Sequence, residues 1–241
     1  MAKIYSQLAT EIRTYLDEAT QTDFLDTEVL LSANRAYHDV VGHVMEVYDR
    51  WYETTTPYTY AIVANQQEYT IASTLIKPTR VEINYQPTTS GSTASRAFPV
   101  DIDSVRSRLG DAGYGTLGAP QYYVHGNIGA QKLGFIPIPT IADTSGFSIS
   151  VWGIDLPSDL SAVGDNVNIP YADRYAYLIS LKAAAQLLRK GQQEENTAQN
   201  YINEYKQGIL EMQTFLKDRV ADDVQGITDV QSDNIDFGMP L

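Results

Sequence analysis

Three histidines, thirty carboxylates and no cysteine bound the chemistry open to this 241-residue chain. Without cysteine there is no disulfide, no thiolate nucleophile and no Cys-based zinc or iron–sulfur site. His38 and His43 stand five residues apart on one helical stretch, so their side chains leave it about 140° apart and cannot share a metal from that helix. Asp39 and His43, four apart, do share a face, and the simplest reading is an ion pair. Asp101-Ile102-Asp103 reads as a helix-capping turn ahead of a short helix over 103–109, because no further ligands follow at a useful spacing. Gly113-Tyr114-Gly115-Thr116-Leu117-Gly118 spells the dinucleotide-binding fingerprint. That fingerprint needs a strand before it and a helix opening from it. Here Ala119-Pro120 and an aromatic strand follow, so the segment reads as a loop. No GxSxG, HExxH, Walker A or EF-hand pattern occurs. No catalytic, metal or cofactor-binding residue is expected, and an enzyme would need convergent polar groups that only a fold can assemble.

The elements that would position these residues fall into three stretches. In the first, Ile4, Leu8, Ile12, Leu16 and Ala19 mark one helical face. A second helix, with Asp26 or Thr27 as its N-cap, carries Val29, Leu30, Ala33, Tyr37, Val40, Val41, Val44, Val47, Tyr48 and Trp51. After Pro170 a third helix runs from about Tyr171 to Lys190. It is apolar on most sides through Leu178, Ile179, Leu181, Ala183, Ala184, Ala185, Leu187 and Leu188, and Gly191 ends it. A fourth helix shows Ala198, Tyr201, Ile202, Tyr205, Ile209, Met212, Leu216 and Val220 on one face.

Between the helical pairs the pattern changes. Residues 57–165 hold eight of the ten prolines and eleven of the sixteen glycines. Short alternating runs sit between turn signals at 59–63, 68–71, 80–86, 121–125, 132–136 and 147–152. The predicted fold is α+β: a four-helix bundle built from residues 1–56 and 166–221, an inserted β-sandwich or barrel over 57–165, and an extended acidic arm over 222–241. In the arm, Ile235, Phe237, Met239 and Leu241 alternate with non-apolar residues, as in a peptide that lies extended on a partner.

Charge narrows the partners. The formal balance is −13, and residues 222–241 contribute five aspartates and no base. Nucleic-acid affinity comes largely from Lys and Arg neutralising phosphates, so this chain is a poor nucleic-acid binder, although an acidic wall that DNA slides past fits it. The charged start is not a secretion signal, and no run approaches the about 20 apolar residues of a membrane span. Seventeen tyrosines against six phenylalanines lean toward protein interfaces, where a large ring keeps its hydroxyl wet. Tyr58, Tyr60, Tyr122 and Tyr123 fall in the β stretch. Tyr171, Tyr175 and Tyr177 open the third helix.

One order of segments carries a family likeness. Ala33-Asn34-Arg35-Ala36-Tyr37 lies on a helix ending near Trp51, and Gln66-Gln67-Glu68-Tyr69-Thr70-Ile71 follows. Next come Gly118-Ala119-Pro120-Gln121-Tyr122-Tyr123 and Leu133-Gly134-Phe135-Ile136-Pro137-Ile138-Pro139. A strand with Trp152 then leads through Asp165 to Ile169-Pro170 and an Ala-rich helix. The arrangement resembles the head-to-tail adaptor (connector) proteins of tailed, particularly short-tailed, bacteriophages. The resemblance implies a non-enzymatic virion protein that forms a ring of about twelve copies beneath the portal. It implies C-terminal arms reaching the portal or a neighbouring subunit, here through Ile235, Phe237, Met239 and Leu241. It implies that the 110–118 loop, with Gly113, Tyr114, Gly115 and Leu117, faces the next tail component, a nozzle or tail tube. DNA would pass through without specific binding. Another tail component (nozzle, tube or baseplate protein) or a carbohydrate-binding module are the alternative readings.

Overall fold

Leu8 and Ile12, one turn apart, are wholly buried and set the face of the first helix, α1 (Tyr5–Tyr15). The computed structural model describes residues 3–18, 23–63, 66–84, 94–101, 103, 121–127, 130–136, 148–161, 163–190 and 194–224. α1 stops where Asp17 turns left-handed (φ 54°) and the Glu18 amide returns to the Arg13 carbonyl at 2.9 Å. Glu18, almost fully buried, then organises the turn into the next helix. Its carboxylate accepts the amides of Asp23 (2.6 Å) and Phe24 (3.1 Å) and pairs with Arg13 at 3.0 Å.

The second helix, α2, spans Asp26–Tyr48 and buries Val29, Ala33, Ala36, Tyr37, Val40, Val41 and Val44 along one stripe. Its N-cap is Leu25 rather than Asp26 or Thr27: the Leu25 amide donates to Glu28 Oε2 at 3.2 Å, while Asp26 takes the Arg13 guanidinium at 2.6 Å. A 3-10 turn follows at Asp49–Tyr52. Late in the chain come a single turn, α3 (Ala172–Tyr175), then α4 (Tyr177–Lys190) and the long α5 (Glu195–Val224).

The chain divides into two compact units, Met1–Trp51 with Asp159–Leu241, and Tyr52–Ser158. In the first, α1, α2 and α5 each pack on α4, whose Leu178, Ile179, Leu181, Ala183, Ala184 and Ala185 are wholly buried. Gly208 of α5 lets that approach happen, since a Cβ there would lie 2.3 Å from Leu178 Cδ2. Polar side chains tie the helices. Ser180 of α4 donates to Glu11 of α1 at 2.8 Å. Lys182 of α4 and Tyr205 of α5 both donate to Asp39 of α2.

The second unit holds seven strands: β1 (Tyr58–Ala61), β2 (Glu68–Thr70), β3 (Leu75–Asn84), β4 (Ala94–Pro99), β5 (Gln121–Asn127), β6 (Ala130–Ile136) and β7 (Ser148–Asp155). They form one sheet in the order β1-β7-β3-β4-β5-β6-β2. All neighbours are antiparallel except β4 and β5, which pair in parallel at Phe98–Gln121 and Pro99–Tyr122. Register stacks Val81 against Val151 and Ala97, Ile83 against Ile149, Tyr69 against Leu133 and Tyr122 against Phe135. These side chains, with Ile62, Ile71 and Leu75, make one core. Tyrosine hydroxyls link the two edge regions: Tyr60 of β1 accepts the Ala72 amide at 3.1 Å, and Tyr69 of β2 accepts the Val63 amide at 3.1 Å. The sheet is thus a nearly closed barrel.

The expected four-helix bundle is corrected by these findings, while the α+β class stands and, of the expected sandwich or barrel, the sheet is a nearly closed barrel. An α4 that is apolar on nearly every side is surrounded by its neighbours as a hub, instead of contributing one stripe to a shared four-helix seam. The β region does not split into two layers, because β4 leaves β3 midway and continues onto β5, carrying the sheet around a single core. Residues 222–224 continue α5, so the last turn outlasts the apolar periodicity that ends near Ala221. The expected short helix over 103–109 lies outside the described residues beyond Asp103.

Candidate functional site

All eight residues singled out from sequence, namely Gly113, Tyr114, Gly115, Leu117, Ile235, Phe237, Met239 and Leu241, lie outside the described residues. What the structure does assemble is a band of aromatic side chains across the helical unit. Tyr15 of α1 meets Tyr201 of α5 edge-on at 5.3 Å, and the Tyr201 hydroxyl donates to the Tyr15 carbonyl at 3.1 Å. Tyr177, at the start of α4, lies within electrostatic reach of Tyr15 and of Tyr175 in α3. Phe215 of α5 lies 6.0 Å from Tyr175 and 5.0 Å, edge-on, from Tyr171. Helix spacing explains the α5 contributions: Tyr201, Tyr205, Met212 and Leu216 fall on the packed side, while Phe215 sits at its margin, half-buried.

Tyr171 is the exposed end of the band, at 42%. It is the N-cap of α3 with left-handed φ 51° and ψ 48°, a conformation that costs a non-glycine residue about 1–2 kcal/mol. Such strain persists where the surroundings over-determine it. Pro170 fixes the approach to this turn, and the backbone amides of Arg174 and Tyr175 both return to the Tyr171 carbonyl, at 2.8 and 3.1 Å.

Two arginines cover this end. The Arg174 guanidinium lies 4.8 Å from the Phe215 ring centre and 5.1 Å from that of Tyr175. Arg219 lies 5.2 Å from Phe215 and 5.8 Å from Tyr171. The Tyr175 hydroxyl beneath them is buried and has no hydrogen-bond partner among the described residues.

Burial pushes the hydroxyls of Tyr15, Tyr175, Tyr177 and Tyr201 above the ordinary tyrosine value, and nearby carboxylates, Glu204 and Glu211 among them, add to the effect. These four hydroxyls are therefore neutral at physiological pH. Beside it, an open groove of about 680 Å³ runs along α1 from Lys3 through Glu11 to Tyr15, with Asp173 at its margin. Within the groove Glu11 accepts from Lys3 (2.5 Å) and from the Ser180 hydroxyl (2.8 Å).

The titratable clusters elsewhere are internally paired. His38 reaches Asp159 at 2.5 Å, and His43 reaches Glu46 at 3.3 Å and Asp39 at 3.8 Å. The Asp39–His43 pair read from four-residue spacing is thus present, but Lys182 and Tyr205 are the closer partners of Asp39. Burial works to raise the Asp39 carboxyl; hydrogen bonds from Lys182 and Tyr205 outweigh it and hold the group below the usual range. In the barrel, Glu68 takes His125 at 2.8 Å and Lys132 at 3.2 Å across β2, β6 and β5. Its carboxyl is also lowered, burial again being outweighed by those two donors. Tyr123, which donates to Glu68 at 3.4 Å, is pushed up to about 12, first by burial and then by that carboxylate. No group of three or more potential ligands able to hold a metal occurs among the described residues.

Half-buried tyrosines with an exposed ring at one end offer the kind of surface that protein interfaces use. The family model for the SU10 adaptor protein matches residues 4–230. The chain belongs to the SU10 adaptor protein family. The match takes in both compact units and stops before Ile235, Phe237, Met239 and Leu241. No curated protein matches the chain. Membership makes this SU10 adaptor family protein a phage adaptor of the virion, a class that associates with portal and tail components. The aromatic band was only partly legible beforehand. The tyrosine surplus and the trio Tyr171, Tyr175 and Tyr177 signalled it, whereas Phe215, Arg174 and Arg219 join only through the packing of α3 on α5.

Proposed function

We propose that this SU10 adaptor family protein is a non-enzymatic head-to-tail adaptor that forms a ring of about twelve copies at the portal vertex. The observation that carries the reading is the family match over residues 4–230. In this role the ring continues the DNA channel between capsid and tail. The aromatic band of the helical unit supplies contact area between neighbouring copies. The C-terminal residues Ile235, Phe237, Met239 and Leu241 dock on the portal or a neighbouring subunit, and the loop with Gly113, Tyr114, Gly115 and Leu117 faces the next tail component. The net charge of −13 supports passage of DNA without binding, since phosphate finds no excess of cations to neutralise it. No cofactor takes part.

The test is to mix purified adaptor with its portal ring and weigh the product by native mass spectrometry. A saturating ring of added subunits, lost when residues 226–241 are removed and weakened by Phe237→Asp, is the expected result. A folded protein that adds nothing to the portal would overturn the reading and favour a more distal tail component.

A further inference from the structure

The arginine-covered end of the aromatic band has the wrong charge for its surroundings. Most cations of the helical unit with a described partner sit on carboxylates: Lys3 on Glu11, Arg13 on Glu18 and Asp26, Lys182 on Asp39, Arg189 on Glu195, Lys190 on Glu28. Arg174 and Arg219 instead share one phenylalanine ring and make no ion pair with a residue whose side chain is described, a set that ends at Arg219, although the chain carries 30 acids against 17 bases. Two like charges drawn to one apolar platform repel each other. An anionic segment laid between them would remove that repulsion and gain charge-assisted hydrogen bonds from both guanidiniums.

The chain itself supplies such a segment close by. α5 ends at Val224, five residues or about 7.5 Å beyond Arg219 along the helix axis. Residues 225–241 follow, with Asp229, Asp233 and Asp236 and no base. Extended chain gains about 3.3 Å per residue, so four residues suffice to turn back and bring Asp229 to Arg219, and later ones reach Arg174. A tether this short gives an effective concentration in the millimolar range, enough for a weak site to be occupied.

We propose that, in the unassembled chain, residues 229–237 fold back onto the platform formed by Tyr171, Arg174, Phe215 and Arg219. The occupant is the chain's own C-terminal segment. Resting on the adaptor reading above, this contact covers part of the band that neighbouring copies share. It holds the protein as separate copies until the portal takes the segment away.

Hydrogen exchange on the isolated full-length protein tests this without any portal, so its outcome is independent of whether the adaptor reading stands. At low salt, amides of 229–237 are expected to exchange about tenfold more slowly than in a free peptide of the same sequence, a protection lost in about 0.5 M salt. Arg174→Glu with Arg219→Glu should abolish it while the amides of α4 keep their protection, which establishes that the variant is folded. Adding Asp229→Lys, Asp233→Lys and Asp236→Lys to that variant should restore it. Free-peptide exchange in the wild type, protection indifferent to the charge reversal, or protection that appears only as concentration rises would each overturn the proposal.

Discussion

The helical unit and the barrel join distant stretches of chain by opposite means. In the barrel the ladder does most of the joining: β3 pairs with β4 and β7 residue by residue, and side chains add ties through Tyr60, Tyr69 and the Glu68 cluster. In the helical unit backbone bonds join distant stretches only at the start of α1 among the described residues, where the Tyr5 and Ser6 amides donate to the Asp165 and Val163 carbonyls; between helices, register rests on side chains. Glu11–Ser180 ties α1 to α4, Asp39 with Lys182 and Tyr205 ties α2 to α4 and α5, and Lys190 reaches Glu28. The difference teaches where sensitivity lies. Ladder bonds are indifferent to pH, whereas a unit pinned by carboxylates responds to their protonation. It also teaches where partners fit. A nearly closed sheet keeps few unpaired edges, while a helical hub leaves the outer faces of its satellites available.

The largest expected effects break one unit at a time. Leu181→Ala, at the wholly buried centre of α4, should cost the helical unit about 2–5 kcal/mol. Leu133→Ala should cost the barrel core a similar amount. Native-state hydrogen exchange resolved by segment is the measurement, and each substitution should raise exchange chiefly in its own unit. Uniform acceleration in both would erase the distinction.

Next comes the pin. Asp39→Ala should cost about 1.5–3 kcal/mol, because a hydrogen-bonded charge is lost and Lys182 and Tyr205 are left without it. Denaturant unfolding of the variant measures this. The pH dependence follows in sign from the depressed Asp39 carboxyl. The unfolded chain holds this proton more tightly, so the contribution is full above the ordinary carboxylate value of about 3.9 and fades as pH falls through the lower folded value. Asp39→Asn should therefore flatten the acid limb of stability in the helical unit. Glu68→Gln should do the same in the barrel, where His125 and Lys132 hold that carboxyl low; both carboxylates are about a third exposed, so solvent screens each contribution.

The smallest effect is at the barrel's closure. Tyr60→Phe removes one hydroxyl that accepts the Ala72 amide and should cost about 0.5–1.5 kcal/mol. Exchange at Ala72 should rise while β3 and β7 stay protected.

Sequence periodicity placed the buried faces of the helices well. Leu8 with Ile12, Val29 through Val44, and Ala198 with Tyr205, Ile209, Met212 and Leu216 are buried as their spacing implies. It did not show how the faces meet. An apolar third helix is compatible with a bundle seam or with a hub, and only the partners' positions decide. In the β region, the first part of β3 was missed because Pro78 reads as a strand breaker; the strand tolerates it with register shifts between Leu75 and Lys77 and between Pro78 and Arg80. β4 was missed because Ser95 and Arg96 interrupt the apolar alternation. The pins could not be read at all, since Asp39, Lys182 and Tyr205 lie up to 166 residues apart. Of the candidate site, tyrosine abundance was visible, but the left-handed Tyr171 and its two arginines follow from a local turn that no period encodes.

The proposed assembly rests on the helical unit, whose aromatic band would carry the contacts between neighbouring copies. Hydrogen exchange comparing the free protein with the portal-bound ring tests it most directly. New protection is expected in segments containing Tyr15, Tyr171–Tyr177, Tyr201 and Phe215, with β5 and β6 unchanged. Protection confined to the barrel strands, with those helical segments exchanging as in the free chain, would contradict it.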